Sequence, residues 1–178
     1  MDRDVISGYL VLLGVTEFFF LMFISEVLYP NYSIKFNYIS DLGVGKTGVL
    51  FNSSIILMGI LIIIASLLLK KFYSFAVFLV GLGGMFVGIF PETTGFIHEI
   101  SAFIAFLFGG IGAILTSFST RSPIRYFWIV LGLITLVSLF LYVGRYYAFL
   151  GPGGMERMIV YPELIWGYSF GTYLINEK

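Results

Sequence analysis

Six long apolar runs dominate this chain, at approximately 5–29, 49–69, 73–90, 97–118, 126–148 and 158–174. A bilayer core about 30 Å thick takes roughly 17–25 apolar residues per helix, and each run has that length. None alternates as a barrel strand would, and in lipid each segment must satisfy its own backbone, so helices are expected. The predicted fold is all-α: a polytopic integral membrane protein, a single six-transmembrane-helix bundle over residues 1–178. Composition agrees, because 59% of residues are hydrophobic and only 11% charged. That is too little charge to coat a water-facing surface. Ten Lys+Arg balance ten Asp+Glu, so no net field recruits nucleic acid, and no nucleic-acid partner is expected.

The start Met1-Asp2-Arg3-Asp4 is not a positive n-region, and no small-x-small cleavage site follows the apolar stretch. No cleaved signal is expected there. Six spans put both termini on one side. Arg3, Lys70, Lys71, Arg121, Arg125 and Lys178 fall on that side, against Lys35, Lys46, Arg145 and Arg157 on the other. The short turns at Lys70-Lys71 and Arg121–Arg125 weigh most, since short loops follow the positive-inside rule best. Both termini are therefore predicted cytoplasmic, in a multi-pass protein of the plasma membrane. Irregular sequence gathers on the opposite side: segments 30–47 and 91–96, and the breaker Gly151-Pro152-Gly153-Gly154. A glycosylation sequon, Asn31-Tyr32-Ser33, lies there too.

Between helices in lipid, close packing and polar contacts replace the hydrophobic driving force. Gly81, Gly84 and Gly88 on the third run, and Gly167 and Gly171 on the sixth, permit close backbone approach. Gly84/Gly88 or Gly167/Gly171 could join this chain to itself or to other membrane proteins, or pack helices within one bundle. Trp128, Trp166 and many tyrosines near run ends suit anchoring at the membrane interface.

The ionisable residues sort by side. The termini apart, the cytoplasmic face holds only Lys70, Lys71, Arg121 and Arg125. The outer half holds Glu26, Lys35, Asp41, Lys46, Glu92, His98, Glu99, Arg145, Glu156, Arg157 and Glu163. A polar site is therefore expected to open outward, while Lys35, Lys46, Glu156 and Arg157 also suit simple solvation of loops. Glu17 lies about 18 Å below the outer end of the first run at 1.5 Å per residue. A carboxylate there must face the bundle interior, take up a proton or find a partner, and Thr135 and Ser138 lie at matching depth. Glu26 follows nine positions later, on the opposite helical face, at the depth of Arg145. A Glu26–Arg145 ion pair is predicted.

Phe90-Pro91-Glu92 and Tyr161-Pro162-Glu163 share a pattern. Proline with an acid at a helix start is ordinary capping for Glu92. A sixth helix beginning at Pro162 would be too short to cross, so it is expected to begin near Arg157 and kink at Pro162, freeing carbonyls beside Glu163. Broken helices with a carboxylate are frequent ligand sites. His98, with Asp41 or Glu92 nearby, is a candidate general acid or base, and Ser101 lies one turn along the same face. With no cysteine and one histidine, no metal site or cofactor is expected. Gly43-Val44-Gly45-Lys46-Thr47 imitates the end of a phosphate loop, but Ser40 stands where its first glycine belongs and no strand precedes it.

Asn37-Tyr38-Ile39-Ser40-Asp41-Leu42-Gly43 after the first run, Leu50-Phe51-Asn52, Phe90-Pro91-Glu92 with His98, and Gly154-x-Glu156-Arg157 with Trp166 form a series of landmarks. They resemble those of an uncharacterised prokaryotic multi-pass membrane family, domain of unknown function 998, grouped loosely with DRAM-type membrane proteins. The resemblance covers roughly residues 30–167 and implies a six-helix membrane protein. It carries Asp41, Asn52, Glu92, His98 and Arg157 over as matched positions without roles. Larger related families use several histidines for lipid hydrolysis, where this chain has His98 alone. Three functions follow as expectations. The first is binding or moving a membrane lipid or small solute at an outward-facing polar cluster that draws on Glu17, Glu26, Asn52, Arg145, Arg157 and Glu163. The second is an enzyme acting on outer-leaflet lipid through His98, Asp41 and Glu92. The third is an accessory subunit of a larger membrane complex.

Overall fold

A computed structural model describes residues 2–176. It contains six α-helices and, among the described residues, no strand: α1 (Arg3–Leu28), α2 (Gly48–Leu69), α3 (Ser74–Ile89), α4 (Phe96–Ser117), α5 (Ile124–Val143) and α6 (Gly151–Asn176). Each helix packs on the next in sequence, and α6 returns to α1, closing a ring; α4 and α6 also meet directly. Four segments are long and apolar enough to cross a membrane: α1, residues 45–69 that include α2, α4 and α5. Helix α3 has only 16 residues, about 24 Å of rise.

The glycines set how closely the helices approach. A Cβ on Gly59 of α2 would lie 2.6 Å from the Gly81 carbonyl oxygen of α3, and one on Gly81 would lie 2.8 Å from that of Gly59. Gly83 meets the α4 backbone at Ser101 and Ala105, and Gly88 meets Asn52 and Ile55 of α2. Across the closing seam, Gly171 of α6 sits on the carbonyl of Gly8 in α1, and Gly167 lies against Val15. These small residues are thus occupied within the chain, where backbone contact replaces the hydrophobic drive that lipid cannot supply.

At the end holding the short turns, Trp128, Trp166, Tyr73, Phe170 and Tyr173 form an aromatic knot. Trp166 stacks on Phe170, and Trp128 meets Phe170 and Tyr173 edge-on. Both tryptophans are buried, and their indole N–H groups donate to Ser169 and Thr116 hydroxyls, each at 2.9 Å. The interfacial role expected for them is therefore corrected: they are core residues.

The other end departs from expectation in two ways. Helix α6 starts at Gly151 and runs unbroken through Pro162, so the supposed breaker is its first turn. Gly153 makes this possible, since the carbonyls of Ile34 and Asn37 lie where a side chain would stand. Pro162 has no amide for the Met158 carbonyl, and the Thr135 hydroxyl of α5 donates to the neighbouring Ile159 carbonyl at 3.3 Å. Helix α5 ends at Val143, and Arg145 lies beyond it with a left-handed φ of 60°.

Candidate functional site

The connection between α1 and α2 folds over one end of the ring and is fastened there by Arg157. Its Nη1 donates to the carbonyls of Ile34, Asn37 and Gly153 at 3.1, 3.2 and 2.9 Å. Its Nη2 donates to Glu26 Oε1 and to the Tyr32 hydroxyl, both at 2.6 Å. Tyr32 in turn donates to the Tyr38 carbonyl, and its ring lies 5.4 Å from the guanidinium carbon. Arg157 is 4% exposed, so it fastens a loop and does not solvate one. The predicted Glu26–Arg145 pair is overturned. Glu26 points to α6 because α1 closes the ring against that helix, whereas Arg145 is exposed on the loop after α5 and has no ion-pair partner among the described residues.

Asp41 and Asn52 hold the same loop from the other side. Asp41 Oδ2 accepts from Asn37 Nδ2 at 2.8 Å and from the Tyr38 amide at 3.0 Å. Asn52 of α2 donates to the Gly43 carbonyl at 2.9 Å, leaving its own Oδ1 buried and unpartnered. Ile39, buried at 3% exposure, donates its amide to Glu156 Oε2 of α6. Glu156 is itself 4% exposed.

Beside this fastened loop, α4, α5 and the start of α6 leave a cleft of about 760 Å³. Its polar wall carries Tyr38, Glu92, His98, Tyr142, Arg145 and Glu156, and its apolar wall includes Ile100, Phe103, Phe106 and Val143. His98 is 7% exposed and places Nδ1 2.8 Å from the Phe90 carbonyl oxygen, which leaves Nε2 for the cleft. Ser101 gives its hydroxyl to the Ile97 carbonyl at 2.7 Å, so His98 and Ser101 make no nucleophilic pair. Burial pushes the Glu92 carboxyl up to about 7, helped by a hydrogen bond with Asp41 and that residue's charge, while Ser40 pulls the other way. A neighbouring like charge disfavours ionisation of a buried carboxyl in this way. Burial and a hydrogen bond with Tyr147 likewise push the Tyr38 phenol up to about 12.

Ser40, His98, Ala102, Phe106 and Glu156 also line a neighbouring chamber of about 70 Å³, and Glu163 and Leu164 line both that chamber and a second of about 50 Å³. A water needs roughly 10–15 Å³ of such space, so each chamber has room for a few. Glu163 lies against Gly109 of α4, where any side chain would collide with its carboxyl, and its Oε1 is shielded and unpartnered. Glu156 and Glu163 are seven residues apart on α6, which puts them on one face about 10 Å apart. Glu17 does not line these chambers. Its Oε2 accepts from the Ser54 hydroxyl of α2 at 3.0 Å, and the expected partners Thr135 and Ser138 lie on α5, which is not a neighbour of α1 in the ring.

Of the residues singled out in the sequence, the fold gathers Glu92, His98 and Arg145 on the cleft wall, with Asp41 beside Glu92 and Glu163 at the inner chambers. Glu26, Asn52 and Arg157 fasten the loop that forms one wall, and Glu17 stands apart on the α1–α2 face. Glu156 was missed as a site residue, as were Tyr38, Tyr142 and Tyr147. The seven-residue spacing of Glu156 and Glu163 signals a shared face once α6 is extended back to Gly151; a helix begun at Arg157 hides it.

A ring of apolar helices around a partly buried polar cleft defines an all-helical membrane protein. A family model described as Protein of unknown function (DUF998) matches residues 12–173, and the chain belongs to that family. Neither the curated proteins nor the solved structures contain a match to it.

Proposed function

We propose that this chain is a six-span protein of the plasma membrane that binds or moves a lipid or small solute through the cleft, which faces outward. The carrying observation is a cleft with polar and apolar walls that shares Glu156 with a neighbouring chamber lined by Glu163, whose Oε1 is unpartnered. Pockets that take small ligands have this mixture of apolar lining and a few placed polar groups. Helices α3 and α6 complete the ring, so counting them as spans leaves no gap, and the basic short turns favour a cytoplasmic position for that end.

Native mass spectrometry of the purified protein tests the binding reading. A retained amphiphile or solute is expected, and Ala102→Trp, which adds bulk to the wall shared by the cleft and the first chamber, should expel it without touching a charge. An empty protein, or a ligand indifferent to that substitution, overturns the reading. Reporter fusions at the C-terminus test the orientation. A second reading, acid–base chemistry on lipid, draws support from the raised Glu92 carboxyl beside Asp41, on the same cleft wall as His98. It requires turnover of lipid by the purified protein that disappears in His98→Ala.

A further inference from the structure

Three tyrosines give the cleft a character that its carboxylates alone would not. Tyr38 from the fastened loop, Tyr142 near the end of α5 and Tyr147 from the following turn all line it. Tyr38 and Tyr142 lie with ring centroids 5.9 Å apart and planes at 74°, and Tyr142 and Tyr147 at 6.0 Å and 55°. Rings set steeply to one another make a concave aromatic wall. Glu92 and Glu156 share the lining with the buried His98. Glu156, 4% exposed, accepts from the Ile39 amide at Oε2, and His98, 7% exposed, leaves Nε2 for the cleft.

We infer that the cleft takes a ligand bearing an ammonium group, with Tyr38, Tyr142 and Tyr147 supplying ring faces and Glu92 and Glu156 the counter-charge. This rests on the binding reading above and names the chemistry that such a ligand carries. Aromatic faces backed by carboxylates attract a large, weakly hydrated cation. A compact metal ion wants converging oxygen or nitrogen ligands instead, and no three of the described His, Asp and Glu side chains converge in that way. Arg145 is the one basic side chain of fixed charge on the lining, against Glu92, Glu99 and Glu156, so the balance favours a cation.

The ammonium has two possible sources, a lipid headgroup or a free amine. The rim favours the headgroup. Ile100, Phe103 and Val143 are exposed apolar residues on the lining, which lets acyl chains leave toward the bilayer, and exposed Arg145 suits a phosphate.

Calorimetric titration of the purified protein separates the cases, with dihexanoyl phosphatidylethanolamine and phosphatidylcholine, dihexanoyl phosphatidylglycerol, and free ethanolamine and choline as probes. The two ammonium lipids should bind at least about tenfold more tightly than phosphatidylglycerol. Tyr142→Leu should weaken them by about threefold to thirtyfold, the range of a cation–π contact, and leave phosphatidylglycerol unchanged. Glu156→Gln keeps an oxygen for the Ile39 amide and should weaken the same two probes. If Tyr142→Leu lowers the melting temperature sharply, Tyr147→Leu on the half-buried turn replaces it. Free amines that bind as tightly as the lipids support the ammonium site and assign it a soluble ligand. Equal binding of all three lipids, indifferent to both tyrosine variants, overturns the ammonium site and leaves the amphiphile reading standing. Binding of no probe overturns both.

Discussion

The two ends of the helical ring are built by opposite means. At the short-turn end, Trp128, Trp166 and Phe170 pack into one another, each indole N–H has a partner, and the Ser7 hydroxyl donates to the Ala65 carbonyl at 3.0 Å. The ion pair there, Lys71 to Asp4 at 3.1 Å, is on the surface, its side chains 46% and 26% exposed. At the loop end an ion pair is buried, three carbonyls converge on one guanidinium, and Oε1 of Glu163 is left unbonded beside a chamber that Glu156 also lines. One end is packed around paired indoles; the other is fastened beside a polar cleft. A chain that needs only to fold has no use for the second arrangement, which is why function is sought there.

Substitutions should reveal the asymmetry. The largest effect is expected from Arg157→Met, which strands Glu26 and frees the carbonyls of Ile34, Asn37 and Gly153. Removing one partner of a buried pair costs about 3–5 kcal/mol, so the melting temperature in detergent should fall steeply. Restoring neutrality with Glu26→Gln in the same protein should recover part of the loss. If Arg157→Met melts like the wild type, the loop is held by something else.

Gly59→Leu comes next. It drives a side chain into the α3 backbone at Gly81 and Met85, and overpacking of this kind costs about 1–3 kcal/mol. The loss should appear as global destabilisation with the ammonium-probe affinity of the surviving protein retained, separating helix packing from the cleft.

Glu92 gives a pH signature. Its carboxyl is raised from 4.5 to about 7 by burial and by Asp41, so the folded protein holds a proton that the unfolded chain releases. The stabilisation this proton provides is complete below about pH 4.5 and is lost as pH rises through about 7. Melting curves across that window should slope downward, and Glu92→Gln should flatten the slope. The groups facing Glu92 are Asp41, Ser40 and Glu156, with His98 and Arg145 on the same wall. Binding of a cationic probe should strengthen above pH 7 as the charge appears, and Glu92→Gln should remove that rise.

The smallest effect belongs to the surface pair. Lys71→Gln should shift stability by no more than about 1 kcal/mol, and less at high salt. A larger change would mean that the short-turn end depends on electrostatics more than its packing implies.

Much of the frame was legible before folding was considered. The apolar runs locate all six helices, and the ends of α1, α3 and α4 lie close to the runs that encode them. The nine-residue spacing of Glu17 and Glu26 places them on opposite faces, and the structure gives them different neighbours, Ser54 on α2 and Arg157 on α6. The start of α6 was hidden because Gly151-Pro152-Gly153-Gly154 reads as a breaker on local grounds. Only the incoming carbonyls of Ile34 and Asn37 make a helix of small residues the fitting choice there.

The sequence by itself determined that this chain is an all-helical membrane protein whose ionisable residues, the termini apart, gather toward one end. That follows from the local period of the helix and from the cost of polar groups in lipid, both readable along a single strand of residues. The tertiary structure alone decided the pairings: Glu26 with Arg157 and not Arg145, Glu17 with Ser54, Glu156 with the Ile39 amide, and the tyrosines with one another. Those choices depend on which helices stand side by side and at what depth, and ring closure between α1 and α6 is a long-range outcome that no local pattern encodes.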